Sequence, residues 1–116
     1  MNCSRGDVIL VRFPNSDLTT YKKRPALVVQ ADLDTGLRQR IVALITSNVS
    51  RTGPTRVPVP MGSDIGRQMG LQADSVVVAD NLATVLEREM DKIIGKCTDL
   101  RSVENALRKT FALDQD

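Results

Sequence analysis

Short apolar segments rich in β-branched residues recur along most of this chain, separated by proline, glycine and small polar residues. Runs of this length and composition favour β-strands, and only the C-terminal stretch has the spacing of a long helix. The strands are predicted at residues 8–13, 26–30, 40–45, 55–60, 75–78 and 92–97. Several short strands followed by one amphipathic helix predict a mostly β (α+β) fold, a small barrel covered by a C-terminal helix.

Proline, glycine and asparagine mark the connections in this pattern. Prolines alternate with valines in residues 55–60, and because proline cannot donate a ladder hydrogen bond, this segment is predicted to be an edge strand. Loops are predicted at residues 14–23 and from Gly62 to Gly70, and a turn at Asp80-Asn81. Residues 83–91 are ambiguous, with local helix propensity at 86–90.

The terminal helix is the clearest element. Four apolar residues fall at helical spacing, namely Leu100, Val103, Leu107 and Phe111. Thr98 or Asp99 can cap its start, and Asp99 suits the positive end of the helix dipole.

At 116 residues the chain is expected to form one domain, residues 1–116, around one hydrophobic core. Aromatic residues make up only 3% of it, so aliphatic side chains must fill that core. A surface that binds single-stranded nucleic acid by stacking bases on aromatic rings would need more of them. RNA binding would therefore depend on charge, hydrogen bonds and shape.

The net charge of +2 is unevenly distributed. Residues 1–60 hold nine Lys or Arg and four Asp or Glu, whereas residues 61–116 hold seven and ten. An anionic ligand is attracted to the first half, which counts modestly for a nucleic acid.

The chain contains no histidine. This removes the usual general acid–base residue at neutral pH and the commonest transition-metal ligand. The carboxylates are scattered without the spacing of a dyad, and nothing selects a set of metal ligands. Catalysis would have to use Arg, Lys, Ser, Thr, Tyr, Cys or carboxylates, and neither a metal nor a cofactor is predicted.

Two cysteines, Cys3 and Cys97, are far apart in sequence and form no CxxC pair. A structural disulfide and two reduced thiols both fit this spacing, and the reduced thiols of a cytosolic protein are favoured. No apolar run reaches the length of a membrane span, and no signal-peptide core is recognisable. A cytoplasmic location away from membranes is expected.

Arg24 is a candidate phosphate ligand. Pro25 disfavours helical geometry in the residue before it, which holds Arg24 extended at the start of the second strand. A guanidinium fixed there can grip phosphate through two parallel hydrogen bonds, and Lys22 and Lys23 add positive charge. On these residues alone, a solvated basic loop is the favoured interpretation.

Thr46, Ser47 and Asn48 directly follow the third strand, where a barrel opens to solvent. Their hydroxyl and amide groups can donate hydrogen bonds to phosphate oxygens. An ordinary turn explains the same residues and is favoured when they are taken alone.

Four blocks of sequence, taken together and in order, favour phosphate contacts over a solvated loop and an ordinary turn. They are Arg5-Gly6-Asp7-Val8, Lys23-Arg24-Pro25-Ala26-Leu27-Val28-Val29, Leu44-Ile45-Thr46-Ser47-Asn48 and Asp74-Ser75-Val76-Val77-Val78. In sequence and spacing they resemble the MazF/PemK toxins of toxin–antitoxin systems. The likeness runs over nearly the whole chain, including Lys92 to Cys97 and the terminal helix.

The resemblance implies an SH3-like barrel that forms a homodimer and cleaves single-stranded RNA without a metal ion. The ribose 2′-hydroxyl is then the nucleophile, and the products carry a cyclic phosphate and a free 5′-hydroxyl. Arg24 matches the family's catalytic arginine, and Thr46 matches the hydroxyl residue that positions the scissile phosphate. The remaining substrate contacts are expected from Ser47, Lys22, Lys23, Asn48 and Asp80.

Some members carry an Arg-x-Asp pair after the late strand, where this chain has Val78-Ala79-Asp80 and retains only the aspartate. The loop of residues 14–23 is expected to close over bound RNA. The expected partner is a cognate antitoxin whose disordered acidic tail occupies the RNA groove, with carboxylates in place of phosphates.

Two other functions are compatible with the same barrel. A non-enzymatic toxin that binds protein, like the CcdB gyrase poisons, would act through its terminal helix and would not need Arg24 or Thr46. A degenerate toxin would have lost its activity together with the missing late-strand arginine.

Overall fold

The computed structural model describes residues 2–14, 17 and 19–113. Six strands form one antiparallel sheet in the order β4-β5-β3-β2-β1-β6. The elements are β1 (Asp7–Pro14), β2 (Tyr21–Val28), β3 (Gln39–Thr46), β4 (Arg56–Val59), α1 (Asp64–Gln68), β5 (Ser75–Leu86), a 3-10 helix (Glu87–Glu89), β6 (Met90–Lys96) and α2 (Arg101–Thr110). The predicted mostly β fold with a C-terminal helix is confirmed, and β4 is an edge strand as its prolines indicate.

Both faces of the central strands are buried, which explains why their sequences are continuous apolar runs. Successive side chains of a strand point to opposite faces. In β2, Leu27 belongs to one core cluster, whereas Ala26 and Val28 belong to the other. Helix α2 covers the first cluster through Val103, and the N-terminal segment covers the second through Cys3.

The α1 segment bridges the two edges of the sheet. It follows β4 on one edge, and its end lies against β6 on the other. Gly70 has a φ of +71°, and a Cβ there would collide with the backbone carbonyl of Ile94. A Cβ at Gly95 would collide with the backbone of Gln68 and Met69. These two glycines permit the direct backbone contact that closes the curled sheet into a small barrel.

The loop prediction for residues 14–23 is wrong at both ends, because Pro14 still belongs to β1 and β2 already begins at Tyr21. The residues of β2 from Tyr21 to Leu27 pair with β1, so a polar segment becomes a strand through its partner rather than its own composition. Residues 15, 16 and 18 lie outside the described part of the chain, and the prediction that this loop closes over RNA stays a prediction.

Two further connections differ from their predictions. The glycine-punctuated loop contains helix α1, whose start is capped by the Ser63 hydroxyl accepting the Gly66 N–H at 3.0 Å. Asp80-Asn81 does not end its strand, because β5 continues to Leu86. The ladder with β3 shifts between Ala43 and Leu44, so the turn-forming residues lie in a bulge. The ambiguous residues 83–91 contain the end of β5, the 3-10 helix and the start of β6.

The prediction that Thr98 or Asp99 caps α2 is wrong, because the N-cap is Leu100 and it makes no side-chain cap hydrogen bond. Asp99 instead contacts the first residue of the helix. Its carboxylate accepts the backbone N–H of Arg101 at 3.2 Å and pairs with the Arg101 guanidinium at 2.7 Å. These hydrogen bonds lower the Asp99 pKa to about 2. Thr98, the other candidate, donates to Gln68 instead. At the far end, Phe111 follows the helix and is 55% exposed.

Cys3 and Cys97 are both free and buried, and they lie in different core clusters. Burial raises the pKa of each thiol. Within the described ranges, no helix combines the length and the apolar composition needed to cross a membrane.

Candidate active site

The ladder between β2 and β3 ends at the pair Ala26–Leu44. Pro25, the next residue of β2, has no N–H with which to continue it. Before Pro25, β2 pairs with β1 alone, whereas β3 continues to Thr46 against β5. When the β2–β3 register is extended by two residues beyond the Ala26–Leu44 pair, Arg24 falls opposite Thr46. The two predicted catalytic residues therefore lie on either side of a gap between strand ends.

A cavity of about 220 Å³ occupies this gap. It is lined by the ends of β2 and β3, by the loop after α1 and by residues of β1, β5 and β6. The large apolar lining residues are buried or half-buried, namely Leu10, Ile45, Leu71 and Ile94. The polar lining residues are mostly more exposed, namely Lys22, Lys23, Arg24, Thr46, Ser47, Gln72 and the buried Ser75.

The charge of the cavity favours an anion. Its lining includes three cations, Lys22, Lys23 and Arg24, and no carboxylate among the described residues. Lys23 pairs with Asp91, which does not line the cavity and whose Oδ2 lies 3.4 Å from the Lys23 Nζ. Both side chains of that pair are largely exposed, so it neutralises the site only weakly. The side chains that line the cavity therefore carry a net positive charge, which attracts a phosphodiester.

The Thr46 hydroxyl is held by the chain that follows it. Its Oγ1 accepts the backbone N–H of Asn48 at 3.1 Å. Among the described residues the same hydroxyl donates to no acceptor, so its proton is available to a ligand oxygen. Ser47 lines the cavity beside it and is exposed.

Two predicted substrate residues lie outside this cavity. The Asn48 side chain closes the following turn by accepting from the Ser50 backbone N–H at 3.3 Å and from its hydroxyl at 2.6 Å. Asp80 lies five residues along β5 from Ser75, roughly 16 Å at the usual rise of a strand. It pairs with Arg56 at 2.9 Å, a partner that the sequence did not indicate. Their roles in substrate binding stay predictions.

Gln72 lines the cavity, although no pattern in the sequence selects it as a site residue. It lies in the loop after α1, and the helix that directs this loop was not predicted. Ser63-Asp64, a capping residue followed by an acidic first turn, was the available signal. In the described ranges, no three His, Cys, Asp or Glu side chains come together as metal ligands would.

Residues 4–111 match the family model described as the PemK-like, MazF-like toxin of type II toxin–antitoxin systems. The chain belongs to this family. Among curated protein sequences, none matches it significantly. The family match spans the cavity and both strand ends that form it, so Arg24 and Thr46 are positions of a PemK/MazF domain.

Solved structures agree with this assignment. The Mycobacterium tuberculosis toxin MazF-mt6 is 30% identical, with a TM-score of 0.65 over 95% of this chain and 98% of that one. An endoribonuclease from a mycobacterial species is 25% identical, with a TM-score of 0.72 over 100% and 98%. An endoribonuclease in complex with its cognate antitoxin, also mycobacterial, shares the fold at 23% identity, with a TM-score of 0.78 over 99% and 100%.

Proposed function

We propose that this chain is the endoribonuclease toxin of a type II toxin–antitoxin pair and cleaves single-stranded RNA at short sequence motifs. The observation that carries the proposal is the cavity that Arg24 and Thr46 both line, together with Lys22 and Lys23. Family membership and the 25%-identical mycobacterial endoribonuclease support it. The CcdB-like alternative has no comparable support, because a toxin that acts through its terminal helix would not use this cavity.

The proposed reaction is an internal transesterification. The ribose 2′-oxygen loses its proton and bonds to phosphorus, while the bond from phosphorus to the next nucleotide's 5′-oxygen breaks. The leaving oxygen takes up a proton and becomes a 5′-hydroxyl, and the other fragment ends in a 2′,3′-cyclic phosphate. One proton leaves the 2′-oxygen for solvent and one is taken up from solvent by the 5′-oxygen, so protons and electrons balance without a co-reactant. In a chain without histidine, the proposed task of the cavity is to position the phosphate and stabilise its charge.

Arg24 supplies the charge stabilisation in this scheme. A guanidinium stays protonated at any physiological pH, so it is suited to holding the developing negative charge on the phosphorane oxygens. Its planar fork can contact two of those oxygens at once. Thr46 adds a neutral donor from the opposite side of the gap, and Lys22 and Lys23 attract the neighbouring phosphates.

Digestion of RNA in excess chelator tests the proposal. We expect discrete fragments whose 3′ ends carry a cyclic phosphate and whose 5′ ends accept phosphate from a polynucleotide kinase without prior phosphatase treatment. Fragments with 5′-phosphate ends would contradict the proposed chemistry. RNA that stays intact, with growth arrest on expression, would instead favour a protein-binding toxin. Intact RNA without growth arrest would indicate a degenerate toxin.

The toxin is further proposed to act in the cytoplasm as a homodimer, with an acidic antitoxin tail as its inhibitor. Its two buried free thiols suit a reducing compartment. A groove of about 550 Å³ beside α2 offers an apolar surface that a second copy would cover, with Phe111 and Leu113 on its lining 55% and 68% exposed. Sedimentation equilibrium measures the subunit count, and a monomer at micromolar concentration would contradict the dimer.

A further inference from the structure

We infer that the cavity between β2 and β3 holds one unstacked nucleobase next to the scissile phosphate, and that the Gln72 carboxamide reads the edge of that base. The inference rests on the proposed endoribonuclease function and names a residue that determines its sequence preference. It follows from the apolar floor of the cavity and from the only side-chain amide in its described lining.

The floor of the cavity is unsuited to a phosphate alone. Leu10, Leu71 and Ile94 line it with apolar side chains, and phosphate oxygens placed against them would lose water without gaining hydrogen bonds. A nucleobase has two apolar faces that pack on such side chains when it leaves the stack. The cations and hydroxyls nearer the solvent would then hold the backbone of the same nucleotide.

Gln72 differs in its hydrogen-bonding capacity from the other polar residues of the cavity. Lys and Arg only donate, and the Ser75 hydroxyl already donates to the Ala73 carbonyl at 2.8 Å. A carboxamide offers a donor and an acceptor side by side, which matches an adjacent acceptor and donor on a base edge. Gln72 is exposed, and its side chain has no hydrogen-bond partner among the described residues. Its full capacity is available to a ligand.

The loop that carries Gln72 is anchored on both sides. Before it, Gly70 packs directly on the backbone of Ile94, and the Leu71 N–H bonds to the Gly66 carbonyl at 3.2 Å. After it, the Asp74 carboxylate accepts the Met61 N–H at 2.9 Å. A reading group on a fixed loop discriminates between bases better than one on a loose loop, because a displaced base edge loses both hydrogen bonds.

Cleavage of a randomised RNA pool by wild type, Gln72→Ala and Gln72→Glu tests the inference. For Gln72→Ala we expect the preference at one nucleotide position of the cleaved motif to fall by roughly 5- to 150-fold, the range of a bidentate side chain–base pair. Gln72→Glu can only accept at neutral pH, so its preference at that position should move towards guanine, whose N1–H and N2–H₂ both donate. Values of kcat/KM on single-base variants of the best motif quantify both effects.

Gln39→Ala is the matched control, because Gln39 lies at the opposite end of β3 from Thr46, and it should keep the wild-type profile. If wild type cleaves and Gln72→Ala keeps the same profile, the inference is overturned and the proposed function stands. A uniform loss of cleavage over all RNA sequences also overturns the inference, since such a loss is expected for a contact to the RNA backbone. If the wild-type protein does not cleave RNA, the inference and the proposed function are both contradicted. Circular dichroism melts of each variant confirm that the exposed loop substitution leaves the barrel folded.

Discussion

Replacing Thr46 with valine removes one hydroxyl from the cavity and keeps the β-branched shape of the side chain. In the structure this hydroxyl accepts the Asn48 N–H and has its own proton available to the substrate. The valine keeps its place on β3 opposite Val76. The variant therefore deletes a hydrogen-bond donor to the phosphate with little disturbance of the sheet.

The two consequences differ in size. Loss of one donor to a developing oxyanion slows a reaction by about 10²–10³-fold, or roughly 3–4 kcal/mol of transition-state stabilisation. The lost Asn48 hydrogen bond is exposed, so water can replace it, and the free energy of unfolding should change by no more than about 1 kcal/mol. Thr46→Ser keeps the hydroxyl and should retain activity within about tenfold of wild type.

Single-turnover cleavage of a labelled RNA, with urea unfolding measured in parallel, separates these effects. Thr35→Val is the control, because the exposed Thr35 hydroxyl accepts the Leu37 N–H at 3.2 Å in the same way and Thr35 does not line the cavity. Its cleavage rate should equal that of wild type. A folded Thr46→Val protein that cleaves within a few-fold of wild type would refute the assignment of this hydroxyl to the phosphate.

Three other substitutions test the fold and the charge of the site. Gly70→Ala forces a side chain onto the Ile94 backbone at a positive φ and should lower the free energy of unfolding by about 1–3 kcal/mol, whereas an unchanged urea midpoint would contradict the barrel closure. Asp99 has a folded pKa of about 2, below its ordinary 3.8, so its contribution to stability is full above pH 4 and is lost as the pH falls through 2. The thermal midpoints of wild type and Asp99→Asn should therefore converge between pH 4 and 2, and a constant difference would mean that the Arg101 pairing does not stabilise the helix. Lys22→Ala should reduce the slope of the logarithm of the RNA-binding constant against the logarithm of the salt concentration by about 0.7 for single-stranded RNA. An unaltered slope would show that Lys22 does not contact the RNA phosphates.

The sequence predicted the strands that are buried on both faces, because a continuous apolar run marks such a strand whichever strands pair with it. The sequence also placed the edge strand correctly, because the prolines in β4 have no N–H to donate to a second neighbouring strand. Pro25 carried more information than expected. It predicted an extended Arg24, and in the structure it also ends the ladder that would have closed the cavity.

The remaining features depend on contacts between distant segments, which no local pattern records. Tyr21 belongs to a strand only because β1 lies beside it, and the turn signal of Asp80-Asn81 becomes a bulge because β3 continues past it. The Arg56–Asp80 pair joins two strands, and Gln72 reaches the cavity only because Gly70 packs against β6. The family's sequence blocks indicated residues on the two ends of the gap but not the loop that completes it.

Cleavage by Arg24→Ala in excess chelator tests the central claim most directly. We predict that the single-turnover rate constant falls by about 10³-fold or more, the range in which a guanidinium stabilises phosphoryl transfer, while the unfolding midpoint stays near that of wild type. Arg51→Ala, which removes an exposed arginine that does not line the cavity, should cleave normally. A folded Arg24→Ala protein that yields the same fragments at the wild-type rate would contradict the proposed mechanism.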